Sequence, residues 1–217
     1  MKPLRILLVD DHSLVRTGIR TVLSHLPDVA VVGEAQNGRE ALQMLEELSP
    51  YLVFMDISMP GLNGFEAARR IRQRYPEVRI VFLSMFANME YVRQAVRSGA
   101  DGYIIKSSAG DELELAVETV RKGRLYFSPS ISEKIQGNLK KWLNEPEDAL
   151  ESLSPRQRET LQLIAEGKRP GEIASAMGIG IKTVESFRLQ LMKRLDIRDV
   201  PGLVRFAIRK GLIQPDE

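Results

Sequence analysis

Four well-separated positions in the first half of this 217-residue sequence carry groups that suit phosphoryl chemistry. Asp10-Asp11 and Asp56 each close an apolar run, Ser84 ends another, and Lys106 follows a fourth. Clustered carboxylates with open oxygen positions suit Mg²⁺, a hard cation that keeps several waters and takes a few carboxylates plus phosphate oxygens. A lysine beside them can pair with a phosphoryl oxygen, and a serine hydroxyl can donate to another. The set reads as a site that accepts a phosphoryl group on an aspartate. The competing reading is that Asp merely terminates buried strands. One Asp at one strand end would favour it; three acids, a Ser and a Lys at four strand ends do not. His12, beside the acids, reads as an exposed residue at a helix start. Phe86, two residues past Ser84, places a bulky apolar group near the mouth of the site.

These residues need a frame that brings strand ends together. LRILLVD (4–10) is a continuous apolar run ending in acid, as expected of a strand buried on both faces. Further strands are expected at 29–35, 51–56, 78–84 and 102–106. Helical spacing falls between them at 12–25, 38–48, 64–75 and 88–97, and again at about 110–122. Five successive βα units imply a parallel sheet covered by helices on both faces. Sites in such folds lie outside the carboxyl ends of the strands, where the four positions would meet.

Composition removes several function classes. With no Cys there is no disulfide framework, thiol catalysis or Cys-based zinc site, and two His are too few for a His-rich metal site. The start, MKPLRILLVDD, does not resemble a signal peptide. No apolar stretch approaches the roughly 18 residues that span a bilayer, so no membrane partner and a cytoplasmic protein are expected. Charge is uneven. Residues 1–127 are neutral overall, whereas 152–215 carry 12 Lys+Arg against 6 Asp+Glu. A basic block of that kind suits an anionic partner, nucleic acid before membrane. Three regions are expected: 1–125, a linker at 126–151 with one polar helix from about Ser130 to Leu143 that carries the lone Trp142, and a helical domain at 152–217.

The chemistry-bearing segments of the first region resemble the receiver domain of bacterial two-component response regulators. The matching pieces are Asp10-Asp11, the stretch from Asp56 to Gly64 (DISMPGLNG), Ser84, and Tyr103-Ile-Ile-Lys106. The resemblance implies a (βα)₅ doubly wound, flavodoxin-like fold with Asp56 as phosphoacceptor. It implies Mg²⁺ bound by Asp11, Asp56 and the backbone carbonyl of Ser58, with Asp10 acting mainly through water. Lys106 would bind the phosphoryl group, and Ser84 and Tyr103 would form a pair that rearranges on phosphorylation. Ser107 stands where the family usually has Pro.

From Ser154 the pattern becomes short helices. Ser154-Pro155-Arg156-Gln157 is a helix start, with Ser as N-cap, Pro at the first position and Gln at the third. Further helices are expected at 170–177, 181–195 and about 200–210, with Gly167, Gly178 and Gly211 as terminators. A helix–turn–helix in a small basic domain is the geometry in which the second helix enters the DNA major groove. On 181–195, Val184, Phe187, Leu191 and Leu195 make an inward stripe, while Lys182, Glu185, Ser186, Leu189 and Lys193 face outward. An ordinary bundle with a solvated basic face is the competing reading.

The segment LSPRQRETLQLIAEGKRPGEIASAMGIGIKTVESFRLQLMKRL resembles the LuxR-type helix–turn–helix. After a receiver, it makes the chain similar to the NarL/FixJ class of response regulators. Thr183 and Val184 match that family's Thr-Val pair. Glu185, Phe187 and Gly180 depart from its common basic residue, His and Ser. Glu185 can accept from a cytosine amino group, Leu189 offers apolar contact, and Lys182, Arg188, Lys193 and Arg194 are expected near phosphates. The last helix carries more apolar residues than one stripe needs. Leu203, Phe206 and Ala207 are expected in the core, and Val204 and Ile208 in a dimer contact. The expected function is a transcription regulator that a sensor histidine kinase phosphorylates at Asp56, promoting a homodimer on a double-stranded operator. The rivals are a Mg²⁺-dependent phosphohydrolase working through an aspartyl-phosphate, and a DNA-binding regulator indifferent to phosphate. A hydrolase would need a second acid or base near Asp56, where Ser58 stands; the intact Asp11, Asp56 and Lys106 weigh against the phosphate-indifferent regulator.

Overall fold

A computed structural model describes residues 3–135, 137–144 and 148–213. The stretch 145–147, part of the expected acidic linker, and the last four residues lie outside that set. The chain forms two compact units, residues 1–59 with 63–145 and residues 146–217 with 60–62.

In the first unit, strands alternate with helices: β1 (Leu4–Val9), α1 (Ser13–Ser24), β2 (Val29–Ala35), α2 (Gly38–Leu48), β3 (Leu52–Asp56), α3 (Gly64–Arg74), β4 (Arg79–Ser84), α4 (Met89–Arg97), β5 (Gly102–Ile105) and α5 (Ala109–Arg121). The strand order is β2-β1-β3-β4-β5, continued beyond β5 by a short strand at Tyr126–Phe127, and every pairing is parallel. The expected doubly wound sheet is present, with boundaries within two residues of the sequence reading. Strand residues alternate between two buried faces. On one face Ile6, Leu8, Phe54, Val81, Leu83 and Ile104 pack with Ile19 and Leu23 of α1 and Leu113 and Val117 of α5. On the other, Phe65 of α3 meets Phe82 of β4 edge-on at 5.3 Å.

Three features differ from expectation. A short sixth strand, β6 (Tyr126–Phe127), pairs with β5; two residues are too few for a periodicity to register. The single polar helix expected at 130–143 is two helices, α6 (Pro129–Ile135) and α7 (Leu139–Asn144). Gly137 between them takes a φ of +88°, a left-handed conformation that ends a helix. Nor is the segment a solvated one. Ile131, Ile135 and Trp142 are buried, and the Arg97 guanidinium at the end of α4 donates to the Trp142 carbonyl at 2.6 Å.

The second unit is four helices: α8 (Pro155–Ala165), α9 (Pro170–Met177), α10 (Ile181–Leu195) and α11 (Val200–Arg209). The expected capping box is formed at α8, with Gln157 N donating to Ser154 Oγ at 3.2 Å and Ser154 N to Gln157 Oε1 at 3.0 Å. Gly178 closes α9 at a φ of +64°, turning the chain into α10. Val184, Leu191, Leu203, Phe206 and Ala207 are buried in this unit's core. No described helix is long and apolar enough to cross a membrane.

Candidate functional site

The sheet register brings the first group of residues together. β1 ends opposite Met55, Asp56 pairs with Leu83, and Ser84 pairs with Ile105. Asp10 and Asp11, Asp56, Ser84 and Lys106 therefore line one carboxyl edge. Gly64 sits at the turn beneath it, where a Cβ would lie 2.1 Å from the Asp56 carbonyl oxygen, so only glycine fits that approach. Asn63 caps α3 through its side chain, and Gly64 N donates to the Ile57 carbonyl at 2.8 Å, which holds the loop after Asp56 against the strand end.

Charge in this edge is dense and withdrawn from water. Asp10 is 1% exposed and Asp56 4%. The Lys106 ammonium lies 2.7 Å from Asp10 Oδ2 and 3.0 Å from Asp56 Oδ1. Burial pushes the Asp56 carboxyl up to about 6; Lys106 opposes that shift and the nearby Asp10 charge adds to it. Burial lowers the Lys106 ammonium, but Asp56 and Asp10 together outweigh it and hold the group above its ordinary value. Oxygens of Asp10, Asp11 and Asp56 and a ring nitrogen of His12 come within 4.8 Å of one another. The three carboxylates of this set are hard oxygen donors and fit a Mg²⁺ ion, to which a ring nitrogen adds little. Ser58, two residues past Asp56, is half-buried. His12 is exposed, as expected, yet its Nδ1 lies 2.7 Å from Asp11 Oδ1. Its position next to two acids in sequence was the available signal for that contact.

Ser84 and Tyr103 are joined through the loop after β4. Ser84 Oγ accepts from Phe86 N at 3.1 Å, and the Tyr103 hydroxyl donates to the Phe86 carbonyl at 2.7 Å. Burial raises the Tyr103 phenol and the neighbouring Ser84 hydroxyl lowers it. Tyr103 is fully buried, so its ring already points inward. The Phe86 ring does not simply close the mouth. It packs against the Tyr91 ring of α4, tilted by 40° with centroids 5.2 Å apart, which ties the loop to that helix.

The other candidate surface lies on α10. Lys182, Thr183, Glu185, Ser186, Leu189, Lys193 and Arg194 are all exposed, and Arg188 is half-buried with its Nε enclosed. Lys182, Lys193 and Arg194 form no ion pair with any described residue. The inward stripe is narrower than expected: Val184 and Leu191 are buried, whereas Phe187 and Leu195 are only half-buried. Gly180 caps α10 without a side-chain hydrogen bond. On α11, Val204 and Ile208 are half-buried, and Ile208 lines an open cleft of about 600 Å³ with Asp199, Arg205 and Arg209.

A parallel sheet with an acid–lysine pocket at its carboxyl edge, in one chain with a helix–turn–helix that has a basic outer face, is the architecture of a DNA-binding signalling protein. Residues 6–118 match the response regulator receiver domain, and residues 151–207 the luxR family of bacterial regulatory proteins. The chain is 37% identical over 210 residues to the transcriptional regulatory protein MctR of Rhizobium johnstonii, covering 97% of this chain and 95% of that protein. It is 36% identical to the oxygen regulatory protein NreC of Staphylococcus aureus, covering 97% and 100%. Among solved structures it is similar to RcsB of Salmonella enterica serovar Typhimurium bound to the promoter rprA with the phosphomimetic BeF3−. The TM-score there is 0.60 at 26% identity, covering 94% and 98%. The chain belongs to the transcriptional response regulators that join a receiver to a LuxR-type DNA-binding domain.

Proposed function

We propose that a sensor histidine kinase phosphorylates this regulator on Asp56 and that the phosphorylated form binds a double-stranded operator as a homodimer, in the cytoplasm. The receiver occupies about residues 1–125 and the DNA-binding domain 152–217, joined through 126–151. The observation that carries the reading is the Asp10–Lys106–Asp56 contact at the strand ends, in one chain with the exposed basic face of α10.

An ionised Asp56 oxygen attacks phosphorus while the bond to the kinase histidine breaks. Lys106 then exchanges its contact with Asp56 for one with a phosphoryl oxygen, and the Ser84 hydroxyl donates to another. Asp11, Asp56 and the Ser58 carbonyl would hold Mg²⁺, with Asp10 through water, and the ion would supply positive charge against the phosphoryl oxygens. When the Ser84 hydroxyl turns toward the phosphoryl group, the hydrogen bond it accepts from Phe86 N loosens, and α4 follows the Phe86 loop through the Phe86–Tyr91 contact. On DNA, Lys182, Lys193, Arg194 and the half-buried Arg188 lie near phosphates, while Thr183, Glu185, Ser186 and Leu189 face base edges. RcsB has been solved with promoter DNA and as dimers on DNA, which supports the same use of this domain here. Val204 and Ile208 of α11 form the contact between the two DNA-binding halves.

The test is covalent labelling by a small phosphodonor with Mg²⁺, followed by DNA footprinting. Asp56→Asn is expected to abolish both labelling and the phosphate-dependent footprint, because an amide is a poor nucleophile. Full labelling of that variant, mapped to another residue, would remove Asp56 as the acceptor.

A further inference from the structure

A polar chain runs from the start of α8 to the outer face of α10, and its direction is fixed at one end. Ser154 N donates to Gln157 Oε1 at 3.0 Å. A main-chain N–H can only donate, so that end of the Gln157 amide must be its oxygen. Gln157 Nε2 is thereby turned toward α10 and donates to Gln190 Oε1 at 2.9 Å. With its oxygen engaged, Gln190 presents Nε2 to Ser186 Oγ at 3.1 Å. Flipping either amide would set donor against donor or oxygen against oxygen. Ser186 therefore accepts from within its own unit and donates to no described residue, on an exposed stretch of helix. Its proton is left on the outward side, beside one remaining lone pair.

We propose that the chain Ser154 N–Gln157–Gln190–Ser186 sets the polarity of the Ser186 hydroxyl and makes it a hydrogen-bond donor to a base acceptor in the major groove. The inference rests on the DNA-binding reading above. A free serine hydroxyl donates or accepts with equal ease, and so reads bases poorly. A hydroxyl whose proton is held outward favours guanine N7 and O6 or thymine O4 over the amino group of cytosine. Glu185, its neighbour on α10, is acceptor-only and favours that amino group. Adjacent residues thus present opposite polarities, with the opposite sense at Ser186 determined two helices away, at the capping box.

The experiment selects duplexes from a randomised pool with the full chain, small phosphodonor and Mg²⁺, then titrates the winning and base-swapped sites. Ser186→Ala is expected to lose preference at one position per half-site. Gln157→Glu is the decisive variant. A carboxylate still accepts from Ser154 N, so the helix start keeps its capping box, but it has no N–H to give. Gln190 must then turn its amide, its oxygen draws the Ser186 proton inward, and only lone pairs face the DNA. The preference at that position should invert, from an acceptor base to an amino-bearing one, by about fivefold in each direction. Gln190→Leu, which cuts the chain without touching the start of α8, should flatten the preference instead. Selection of the wild-type base by both Gln157→Glu and Gln190→Leu would overturn the proposal, as would a loss from Ser186→Ala spread equally over all sequences. If the wild-type chain selects no sequence at all, the DNA-binding reading fails and the inference with it.

Discussion

The Asp56 pocket and the outer face of α10 place polar groups under opposite conditions. In the pocket, Asp10, Asp56 and Lys106 are withdrawn from water and held against one another, and burial raises the Asp56 carboxyl to about 6. On α10 the charged groups are solvated, and Lys182, Lys193 and Arg194 have no ion-pair partner among the described residues. The pocket stores free energy in the unliganded protein, since a buried carboxylate is costly unless compensated. The α10 face stores almost none and gains its energy only when phosphates arrive and release their counterions. A switch needs both kinds of surface. The first must respond to a small chemical change, and the second must stay inert until it is presented. Each region also contains a serine whose oxygen accepts from the protein's own N–H: Ser84 from Phe86 N, Ser186 from Gln190 Nε2. On the readings proposed above, the hydroxyl proton in each is what an incoming oxygen would meet.

If the two regions are coupled as proposed, the largest break comes from Ser84. Ser84→Ala keeps Asp56, Lys106 and the acidic set, so labelling by a small phosphodonor is expected to persist. The donor that signals the phosphoryl group to the Phe86 loop is gone. Operator affinity is then expected to be the same with and without phosphate, where the wild type differs between the two states. A wild-type phosphate response in this variant would show that the signal leaves the pocket by another path.

What was legible in the sequence follows the same division. The pocket could be read because Asp10, Asp56, Ser84 and Lys106 each punctuate an apolar run, and a parallel sheet aligns such ends. The exposed residues of α10 could be assigned to its outer face from helical spacing. Less legible was anything set by a contact between distant residues. Tyr103 is already turned inward on the Phe86 carbonyl, which neither residue's neighbours reveal. Trp142 looked stranded on a polar helix because its partner, the end of α4 at Arg97, lies 45 residues earlier. Asp101, which accepts from Arg72 and Arg79 at 2.7 Å each and from Ile80 N at 2.9 Å, carried no local signal at all. The Gln157–Gln190 link is of the same kind.

The next break lies on the DNA side. Val204 is half-buried on α11, one turn from Ile208, and the two are expected to meet their counterparts in the dimer. Val204→Asp puts a charge into that contact, at a cost of several kcal/mol or so if unpaired, which corresponds to about a hundredfold or more in operator affinity. Folding and labelling at Asp56 should survive. Lys193→Ala serves as contrast: it should weaken binding to all sequences alike and lower the salt slope by about one unit. Unchanged operator affinity in a well-folded Val204→Asp protein would leave the receiver as the dimer contact.

Acid titration sharpens the contrast from the pocket side. The Asp56 carboxyl is raised from 3.8 to about 6 in the folded protein, so between those values the folded state binds the proton more tightly than the unfolded chain. The metal-free protein should therefore lose stability as pH rises from about 4 to about 6 and lose no more from this group above that. A shift of this size amounts to about 3 kcal/mol at most. Denaturant unfolding at stepped pH should show this slope in the wild type and not in Asp56→Asn.

The smallest expected effect tests whether α10 is held back by its N-cap residue. Gly180 occupies the N-cap with extended backbone angles and provides no side-chain acceptor, so the first N–H groups of the helix are left to water and to the Gly180 carbonyl. A Cβ there would meet nothing closer than Thr183 Oγ1 at 3.9 Å, so serine fits without displacement. Gly180→Ser adds an acceptor for the second or third N–H of α10, and its expected gain is a few tenths of a kcal/mol, the usual difference between these two caps. Because the added group lies at the DNA-facing end of the helix, affinity for every sequence should rise slightly while base preference stays unchanged. A changed base preference would mean that the cap also sets the angle at which α10 enters the groove, and the Ser186 polarity would then have to be measured against that new orientation.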